Sequence, residues 1–405
     1  MIDEVLKKTT NVFKKIIEDH WDIFKEKHHS FDTPQYSDVI EKMLNCGMEH
    51  GGYTEYRCCD CGQGVKRIPF SCKSGFCLSC CKVYVDEVVS QISKVLHVGM
   101  RYRHVVLTIP QQLRIYFYKD RHECSLLSLF MRAGYACVED AVSRMVKRKV
   151  KVGCVVVVQT HGRSGSYNPH LHIIMSSGGV DENNKVWKEL RSVNYDTMHK
   201  KWQYHLLKLM REWDKSKEMN SLIDTLYKQY PRGFVANASK GEAPQKAGGL
   251  ARYLAKYVAS PPISVRRIMR YDGEKVTYKY KDHKTKKEKV ETVDAETFVG
   301  RMVQHIMPKG FQRIRYYGLQ ATKTFEKWKE IIEYSLNNIK SSRDGAYEIV
   351  KCKNYRERYR EGCGKDPLIC PHCGNEMVLW EIWHPKYGVI YSEEKEIKRG
   401  KYGVA

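Results

Sequence analysis

Residues 168–175 read Asn-Pro-His-Leu-His-Ile-Ile-Met, and this run predicts a strand. A residue before proline is held extended, and the apolar, β-branched residues that follow favour a strand. Because side chains alternate along a strand, His170 and His172 share one face while Leu171 points to the other. A second strand-like run, 151–160 (KVGCVVVVQT), precedes it, separated by a turn rich in glycine and serine. Together they predict an antiparallel hairpin.

The rest of the chain divides into helical and strand-like segments around this hairpin. Helical spacing of apolar residues covers much of 1–45, 82–98, 124–148 and 183–230, whereas 104–109 and 270–293 are strand-like. A length of 405 residues predicts more than one domain. We therefore predict an α+β protein. It has an N-terminal helical and zinc-binding domain (1–97), a central antiparallel sheet with flanking helices (98–325), and a short C-terminal helical tail that bears cysteines (326–405).

The charge of the chain indicates the class of its partner. Lysine and arginine number 70 against 47 aspartate and glutamate, a net charge of +23. This excess favours a polyanion, either nucleic acid or an anionic membrane, over an ordinary basic surface. No run of about 18 apolar residues is present, so no transmembrane helix is expected. The N-terminus lacks the apolar core of a secretion signal, and we expect a cytoplasmic protein.

The histidine pair is a candidate metal site. Two imidazoles on one strand face can bind a single divalent cation, and for phosphate chemistry we expect Mg²⁺ or Mn²⁺. Gln159, at the end of the preceding strand, is the candidate third ligand through its amide oxygen. The alternatives are an ordinary strand-end amide at Gln159 and two satisfied or exposed histidines at His170 and His172. The apolar opposite face of the strand favours the metal site.

A tyrosine pair lies about eighty residues further along the chain. Residues 249–258 (GLARYLAKYV) favour a helix, and Tyr253 and Tyr257 lie four apart on one face of it. The alternative is two amphipathic tyrosines at the edge of a core, since the chain has 27 tyrosines. The neighbouring Lys246, Arg252 and Lys256 are candidate DNA-phosphate contacts, or an ordinary solvated face.

A metal site opposite two phenols can cleave a phosphodiester. A phenol has an ordinary pKa of about 10, so attack requires the phenolate or a base. A divalent cation polarises the scissile phosphate and offsets charge on the leaving 3′ oxygen. The product is a 5′-phosphotyrosine, from which a second hydroxyl can release the DNA by joining it to another strand. Two tyrosines suit strand transfer better than hydrolysis.

The cysteines cluster rather than spread. Of the 15 cysteines, eight fall between Cys46 and Cys81 and four between Cys352 and Cys373. The spacing C-x-x-C, fifteen residues, C-x-x-C predicts a structural zinc held by Cys58, Cys61, Cys77 and Cys80. Either Cys46 or Cys72 can replace one of them or build a second site. Cys370 and Cys373 form half a site, with Cys363 and His384 as candidate completing ligands.

These motifs together resemble the IS91-type transposases, a group within the HUH endonucleases. The resemblance covers most of the chain, and the segments that carry it are 56–80, 104–110, 168–172 and 251–264. It implies Tyr253 and Tyr257 as nucleophiles and His170 and His172 as metal ligands. It also implies an HUH antiparallel sheet with the tyrosine helix laid across its metal face. The implied activity is rolling-circle-type transposition on single-stranded DNA, in the cytoplasm of a bacterium and at its nucleoid.

Two alternatives remain at this stage. A rolling-circle replication initiator or a relaxase performs the same nicking step, although the zinc module and the strand-transfer logic favour a transposase. A zinc-dependent DNA-binding regulator without catalysis suits the charge and the cysteines, but has no use for a metal opposite phenols. A zinc deaminase is excluded, because Cys370 follows isoleucine rather than proline and no H-x-E motif accompanies it.

Overall fold

The structure is a computed structural model, and it describes 2–97, 99–181, 183, 185–238, 249, 253, 262–282, 285, 287–337 and 350–399. Within these ranges, none of the helices combines the length and the apolar character needed to cross a bilayer.

Helices and strands alternate irregularly along the described chain. Helices α1 to α11 are Ile2–Lys27, Pro34–Leu44, Cys81–Ser93, Arg114–Lys119, Ser125–Met145, Tyr195–Trp213, Lys217–Gln229, Ala295–Val303, Phe325–Asn337, Tyr355–Cys363 and Glu393–Lys398. Strands β1 to β13 are Tyr53–Arg57, Val65–Pro69, Tyr102–Thr108, Val150–His161, Tyr167–Asp181, Trp187–Glu189, Ala236–Ala238, Ile268–Tyr271, Lys275–Lys281, Glu288–Asp294, Ile314–Tyr317, Val378–His384 and Gly388–Ser392. The predicted α+β class is confirmed.

The chain forms two compact units, and this division differs from the three predicted domains. One unit combines Met1–Tyr84 with Lys351–Ala405, and the other is Val85–Val350. In the first unit, β12 and β13 of the C-terminal segment join β1 and β2 in one sheet, ordered β13-β12-β1-β2. The predicted separate tail (326–405) is therefore split, because its last two strands complete a sheet that starts at Tyr53.

The second unit is built on an antiparallel sheet. Its order is β11-β4-β5-β3-β7, and β6 pairs with the far end of β5. The predicted hairpin is present as β4 and β5, with Val157 opposite His172 and Gln159 opposite His170. Strand β3 lies on the other side of β5, with Val106 opposite His172. The strand that carries the histidine pair is thus flanked by strands on both sides.

Alternation gives this sheet two different faces. On one face, Leu171 and Ile173 of β5 join a continuous buried core with α5 and α6. Trp202 of α6 is fully buried there and donates its indole N–H to the carbonyl of Thr108 at 2.7 Å. Residues of opposite parity, including His170 and His172, face away from this core. Burial of the apolar face fixes the register, since a slip by one residue would exchange the two faces.

A smaller sheet, ordered β10-β9-β8, confirms that the segment 270–293 is strand-like. Helix α8 follows β10, and its buried Phe298 lies edge-on against Tyr278 of β9 at 5.6 Å between ring centroids. Arg301 of the same helix pairs with Glu291 of β10 at 2.9 Å. These contacts join the helix to the sheet.

We predict that Gly318→Ala destabilises the protein strongly. Gly318 follows β11 with a φ of +59°, and an added Cβ would lie 1.8 Å from the carbonyl oxygen of Val152 on β4. Gly310→Ala is the matched control, because Gly310 also has a positive φ, of +83°, but nothing lies within 4 Å of its added Cβ. Chemical denaturation should show Gly318→Ala to cost about 1–3 kcal/mol more than Gly310→Ala. Equal losses would contradict the close approach.

Candidate active site and cysteine clusters

The two histidines of β5 lie side by side on the sheet face that is turned away from the helical core. The centroids of the His170 and His172 rings are 4.9 Å apart. Gln159, on β4, reaches the same place, with its Oε1 3.2 Å from Nε2 of His172. The structure therefore brings together the three side chains predicted to bind the catalytic metal.

Hydrogen bonds orient the ring of His170 for binding. Its Nδ1 lies 2.7 Å from the carbonyl oxygen of Asn168, which can only accept, so Nδ1 carries the proton. In the neutral ring this leaves the lone pair on Nε2. A backbone carbonyl in this position is a common orienting partner of a metal-bound histidine.

Burial keeps the imidazoles of the pair neutral. It lowers the pKa of His170, and it lowers the pKa of His172 well below its usual value. Neighbouring imidazoles lower the pKa of His172 further, and these are His170, His104 and His161. A neutral imidazole has the lone pair that a metal needs, so the electrostatics suit ligation.

His104 is a site residue that the sequence reasoning missed. Its Nε2 lies 3.0 Å from Nδ1 of His172, and its Nδ1 lies 2.9 Å from the hydroxyl oxygen of Tyr253. Burial lowers the pKa of His104 to about 4, so the ring is neutral and one nitrogen donates while the other accepts. The sequence contained one hint of this position, because His104 begins the strand-like run 104–109 and therefore shares a strand face with Thr108. In the structure, Thr108 lies opposite His170.

Of the two predicted nucleophiles, Tyr253 is described by the structure, and it lies at this site. Its ring stands nearly perpendicular to that of His104, at 84° and 5.3 Å between centroids. Four other predicted residues lie outside the described part of the chain, and so does most of the predicted helix that would carry them: Tyr257, Arg252, Lys256 and Lys246.

The donor set fits a divalent cation. Two imidazoles and one amide oxygen converge on one sheet face, and such nitrogen and oxygen donors bind first-row divalent metals. The Tyr253 hydroxyl is separated from His172 by the single ring of His104. The geometry therefore brings together a donor set suited to a metal, a phenol hydroxyl and a polar link between them.

A buried histidine holds the turn that precedes this site. His305 donates from Nε2 to the carbonyl of Gly165 at 2.9 Å, and its Nδ1 accepts from the hydroxyl of Thr160 at 3.0 Å. Thr160 is the residue before the end of β4, and Gly165 lies in the turn before β5. Burial lowers the pKa of His305 to about 4.

The cysteines form two clusters within the first unit rather than the predicted single site. Cys77 and Cys80 group with Cys46 and Cys72, whereas Cys58 and Cys61 group with Cys370 and Cys373. The grouping differs because β12 follows closely on the Cys370 turn, and its pairing with β1 brings that turn to Cys58. Cys363 and His384 do not join the second cluster. In each cluster the four sulfur atoms lie within 4.8 Å of one another.

Sulfur separations in the first cluster suit zinc, and each cluster contains a thiol of lowered pKa. The sulfur of Cys80 lies 3.3 Å from that of Cys46 and 3.7 Å from that of Cys72. The neighbouring thiol of Cys72 lowers the pKa of Cys46 to about 7, and the backbone N–H of Gln63 lowers the pKa of Cys61 to about 6. A lower pKa favours the thiolate, which is the form that binds metal.

Comparison with known proteins places the chain among transposases. Residues 153–327 match the family described as "Putative transposase", and residues 16–109 match the family described as "Transposase zinc-binding domain". The chain is 27% identical over 357 residues to the transposase for insertion sequence element IS801 of Pseudomonas savastanoi pv. phaseolicola, which covers 84% of this chain and 82% of the relative. It is 24% identical over 385 residues to "Putative transposase y4qJ" of Sinorhizobium fredii, covering 89% and 92%. No solved structure matches the chain significantly.

A zinc-binding region at 16–109 followed by the transposase region at 153–327 defines a DNA-processing enzyme, a transposase. The chain belongs to the IS91/IS801 family of transposases. The first family match contains Gln159, the histidine pair and Tyr253, while His104 lies inside the second.

We predict that acid destabilises the protein partly through His305. Its pKa is about 4 in the folded chain against 6.5 ordinarily, so between these values the unfolded chain binds the extra proton. Stability therefore falls as pH drops from 6.5 towards 4, by about 1.4 kcal/mol per pH unit from this group. In His305→Gln, the loss of unfolding free energy between about pH 7 and about pH 5 should be smaller.

The control for this measurement is His29→Gln, at an exposed histidine. It should leave the pH dependence of the unfolding free energy unchanged. An unchanged dependence in His305→Gln as well would show that His305 does not remain neutral in the fold.

Proposed function

We propose that the protein nicks and joins single-stranded DNA as an HUH endonuclease, through 5′-phosphotyrosine intermediates on Tyr253 and Tyr257. The observation that carries this proposal is the hydrogen-bonded series from Tyr253 through His104 to His172. In it, a potential nucleophile is held beside a potential metal ligand on one sheet face. Rolling-circle-type transposition is the process that such a reaction serves.

In this proposal, the cation is bound by His170, His172 and Gln159. Mg²⁺ or Mn²⁺ held there would polarise the scissile phosphate and offset charge on the leaving oxygen. The Tyr253 oxygen forms a bond to phosphorus while the bond from phosphorus to the 3′ oxygen breaks. The phenol proton passes to solvent, and the 3′ oxygen takes one up. The reverse reaction, with a 3′-hydroxyl of another strand, joins the two strands and frees the tyrosine.

His104 is the positioning residue of this reaction. If Nε2 of His172 held a cation, the ring proton would lie on Nδ1 and would be donated to Nε2 of His104. The proton of His104 then lies on Nδ1 and is donated to the Tyr253 oxygen. A donor in that position favours the phenolate and holds its oxygen in place. Ligation by His172 thereby sets which way the His104 hydrogen bond to Tyr253 points.

DNA binding rests on charge in this proposal. The surplus of 70 basic over 47 acidic residues favours contact with a phosphate backbone. Lys246, Arg252 and Lys256 flank the tyrosines in sequence, and we propose that they bind phosphates next to the scissile one. Single-stranded DNA is the proposed substrate because a phosphodiester must approach an oxygen held close to the sheet.

Two other functions compete with this one. A replication initiator or a relaxase shares the nicking step, and similarity to the IS801 transposase supports the transposase. A regulator without catalysis accounts for the zinc-binding domain but not for Tyr253 held against buried imidazoles.

We predict a covalent DNA adduct that depends on Tyr253. Labelled single-stranded oligonucleotides from the ends of the element, incubated with Mn²⁺, should give a band that survives denaturation in SDS. Tyr253→Phe combined with Tyr257→Phe should abolish the band, because no phenol oxygen remains at the site. Chelation of the metal should abolish it as well. Tyr227→Phe, at an exposed tyrosine of α7, is the matched control and should keep the band.

The same assay separates the competing functions. Retention of the adduct in the double variant would end the tyrosine proposal. Specific binding without any adduct in the unmodified protein would favour the regulator. Nicking without joining to a second strand would favour an initiator.

We predict that His104→Ala slows adduct formation by about 10–100-fold, the usual cost of losing a partner of a metal ligand. DNA affinity should change little, because His104 is buried at 5% exposure and cannot hold the DNA backbone. Added imidazole should restore part of the rate, since it can occupy the space of the lost ring and renew both hydrogen bonds. A general loss of structure would not respond to imidazole.

Single-turnover kinetics at saturating DNA is the measurement, with thermal unfolding recorded for each variant. Tyr253→Phe is the comparison, because imidazole cannot replace a nucleophile. An unchanged rate in His104→Ala would remove His104 from the reaction.

A further inference from the structure

The second cysteine cluster joins parts of the chain that are far apart in sequence. The sulfur atoms of Cys58 and Cys373 are 3.4 Å apart, across a separation of 315 residues. Those of Cys61 and Cys370 are 3.6 Å apart, across 309 residues. The zinc-binding family match ends at residue 109, so it includes one half of this cluster and not the other.

The two halves have the same local structure. Each is a C-x-x-C turn followed by glycine, and Gly62 and Gly374 have positive φ values of +69° and +79°. Each glycine donates its N–H to the carbonyl of the first cysteine, at 3.2 Å in the first turn and 3.0 Å in the second. Cysteine turns of this kind are a common way to present two sulfurs to one zinc ion.

The sulfur separations suit a tetrahedral ion and exclude a disulfide. With zinc–sulfur bonds of about 2.3 Å, a tetrahedron places its sulfurs about 3.8 Å apart. A disulfide requires about 2.05 Å, and all four cysteines are free thiols. The backbone of the first turn also packs closely against the second, since a Cβ added to Gly64 would lie 2.6 Å from the Cys370 sulfur.

Contacts between the strands hold the halves in place. Strand β1, which ends beside Cys58, pairs with β12, which starts beyond Cys373. The hydroxyl of Tyr53 donates to Glu381 at 3.0 Å, and the guanidinium of Arg57 lies 4.9 Å above the Trp380 ring. Met377 is buried against Cys58 and Cys370. The cluster therefore lies at one end of a packed interface between the segments that carry β1 and β12.

We propose that Cys58, Cys61, Cys370 and Cys373 bind a second zinc ion, which fastens the C-terminal segment to the N-terminal zinc-binding region. The other cluster, Cys46, Cys72, Cys77 and Cys80, binds the first. The zinc-binding unit is thus completed by a part of the chain that follows the catalytic sheet in sequence. This proposal is independent of the nicking chemistry and stands or falls without it.

Metal content of the full-length protein tests the proposal. The unmodified protein should contain two zinc ions per chain by elemental mass spectrometry, one for each cluster. Cys370→Ser with Cys373→Ser should contain one. The matched control is Cys352→Ser with Cys363→Ser, which changes two exposed cysteines of the same segment outside both clusters and should keep two.

Three outcomes would overturn the proposal. They are a single zinc in the unmodified protein, two zinc ions retained in Cys370→Ser with Cys373→Ser, or iron in place of the second zinc. Iron is a necessary comparison because four thiolates also bind it in tetrahedral geometry.

Thiol modification of the unmodified protein keeps the proposal testable if the serine variant does not fold. Cys373 is exposed, as are Cys352 and Cys363, so exposure alone predicts equal reaction with N-ethylmaleimide. Bound zinc predicts that Cys373 is protected while Cys352 and Cys363 react, and that a strong chelator removes the protection. Equal reaction of all three before chelation would refute the second zinc site.

Discussion

The antiparallel pairing of β5 with β3 and β4 is the constraint on which the second unit depends. One face of β5 is committed to the core by Leu171 and Ile173, so the other face must carry His170 and His172. The pairing then sets which side chains meet the histidines, because Gln159 lies opposite His170 and Val106 opposite His172. A shift of one residue in either pairing would bury imidazoles among leucines. The strand register that packs the core is therefore also the register that assembles the site.

Placing imidazoles at a buried sheet face has an electrostatic consequence. Desolvation disfavours the charged ring, so His104, His170 and His172 are held neutral and must satisfy each nitrogen through a partner. Among the contacts described, that need links His104 to both His172 and Tyr253. In a neutral series of this kind each ring has one donor and one acceptor, so the proton position on one ring determines the next. His172 and Tyr253 are coupled by this rule without touching.

The sequence predicted what depends on local pattern. The β-branched runs 151–160 and 168–175, with the turn between them, are enough to predict the hairpin. The shared face of the histidines follows because period two is a property of the strand itself. C-x-x-C spacing is likewise local, and it identified Cys58, Cys61, Cys77 and Cys80 as candidate ligands. Which pairs belong together was not predictable, since every C-x-x-C presents the same two sulfurs. That choice is made by the pairing of β1 with β12, a contact between distant segments.

His104 was missed for a related reason. The local sequence does not distinguish a site histidine at the start of an apolar strand from a structural histidine at the edge of a core. Its role depends on the residues of the neighbouring strand. Its parity with Thr108 could be read from the sequence, but the pairing of β3 with β5, which brings it diagonally to His172, could not. Its contact with Tyr253 spans 149 residues and belongs to the fold rather than to any motif.

The closure of the first unit raises an energetic question, because its two halves are separated by most of the chain. Closing a flexible loop of the 309 residues between Cys61 and Cys370 would cost about 5 kcal/mol. Structural zinc sites contribute about 10–16 kcal/mol of binding free energy in small peptides, which exceeds that cost. The folded second unit reduces the cost further. The N–H of Val350, at its end, donates to the hydroxyl of Ser93, near its start, at 3.3 Å. Folding of the second unit therefore returns the chain close to where it left, and the cysteine turns close a much shorter effective loop.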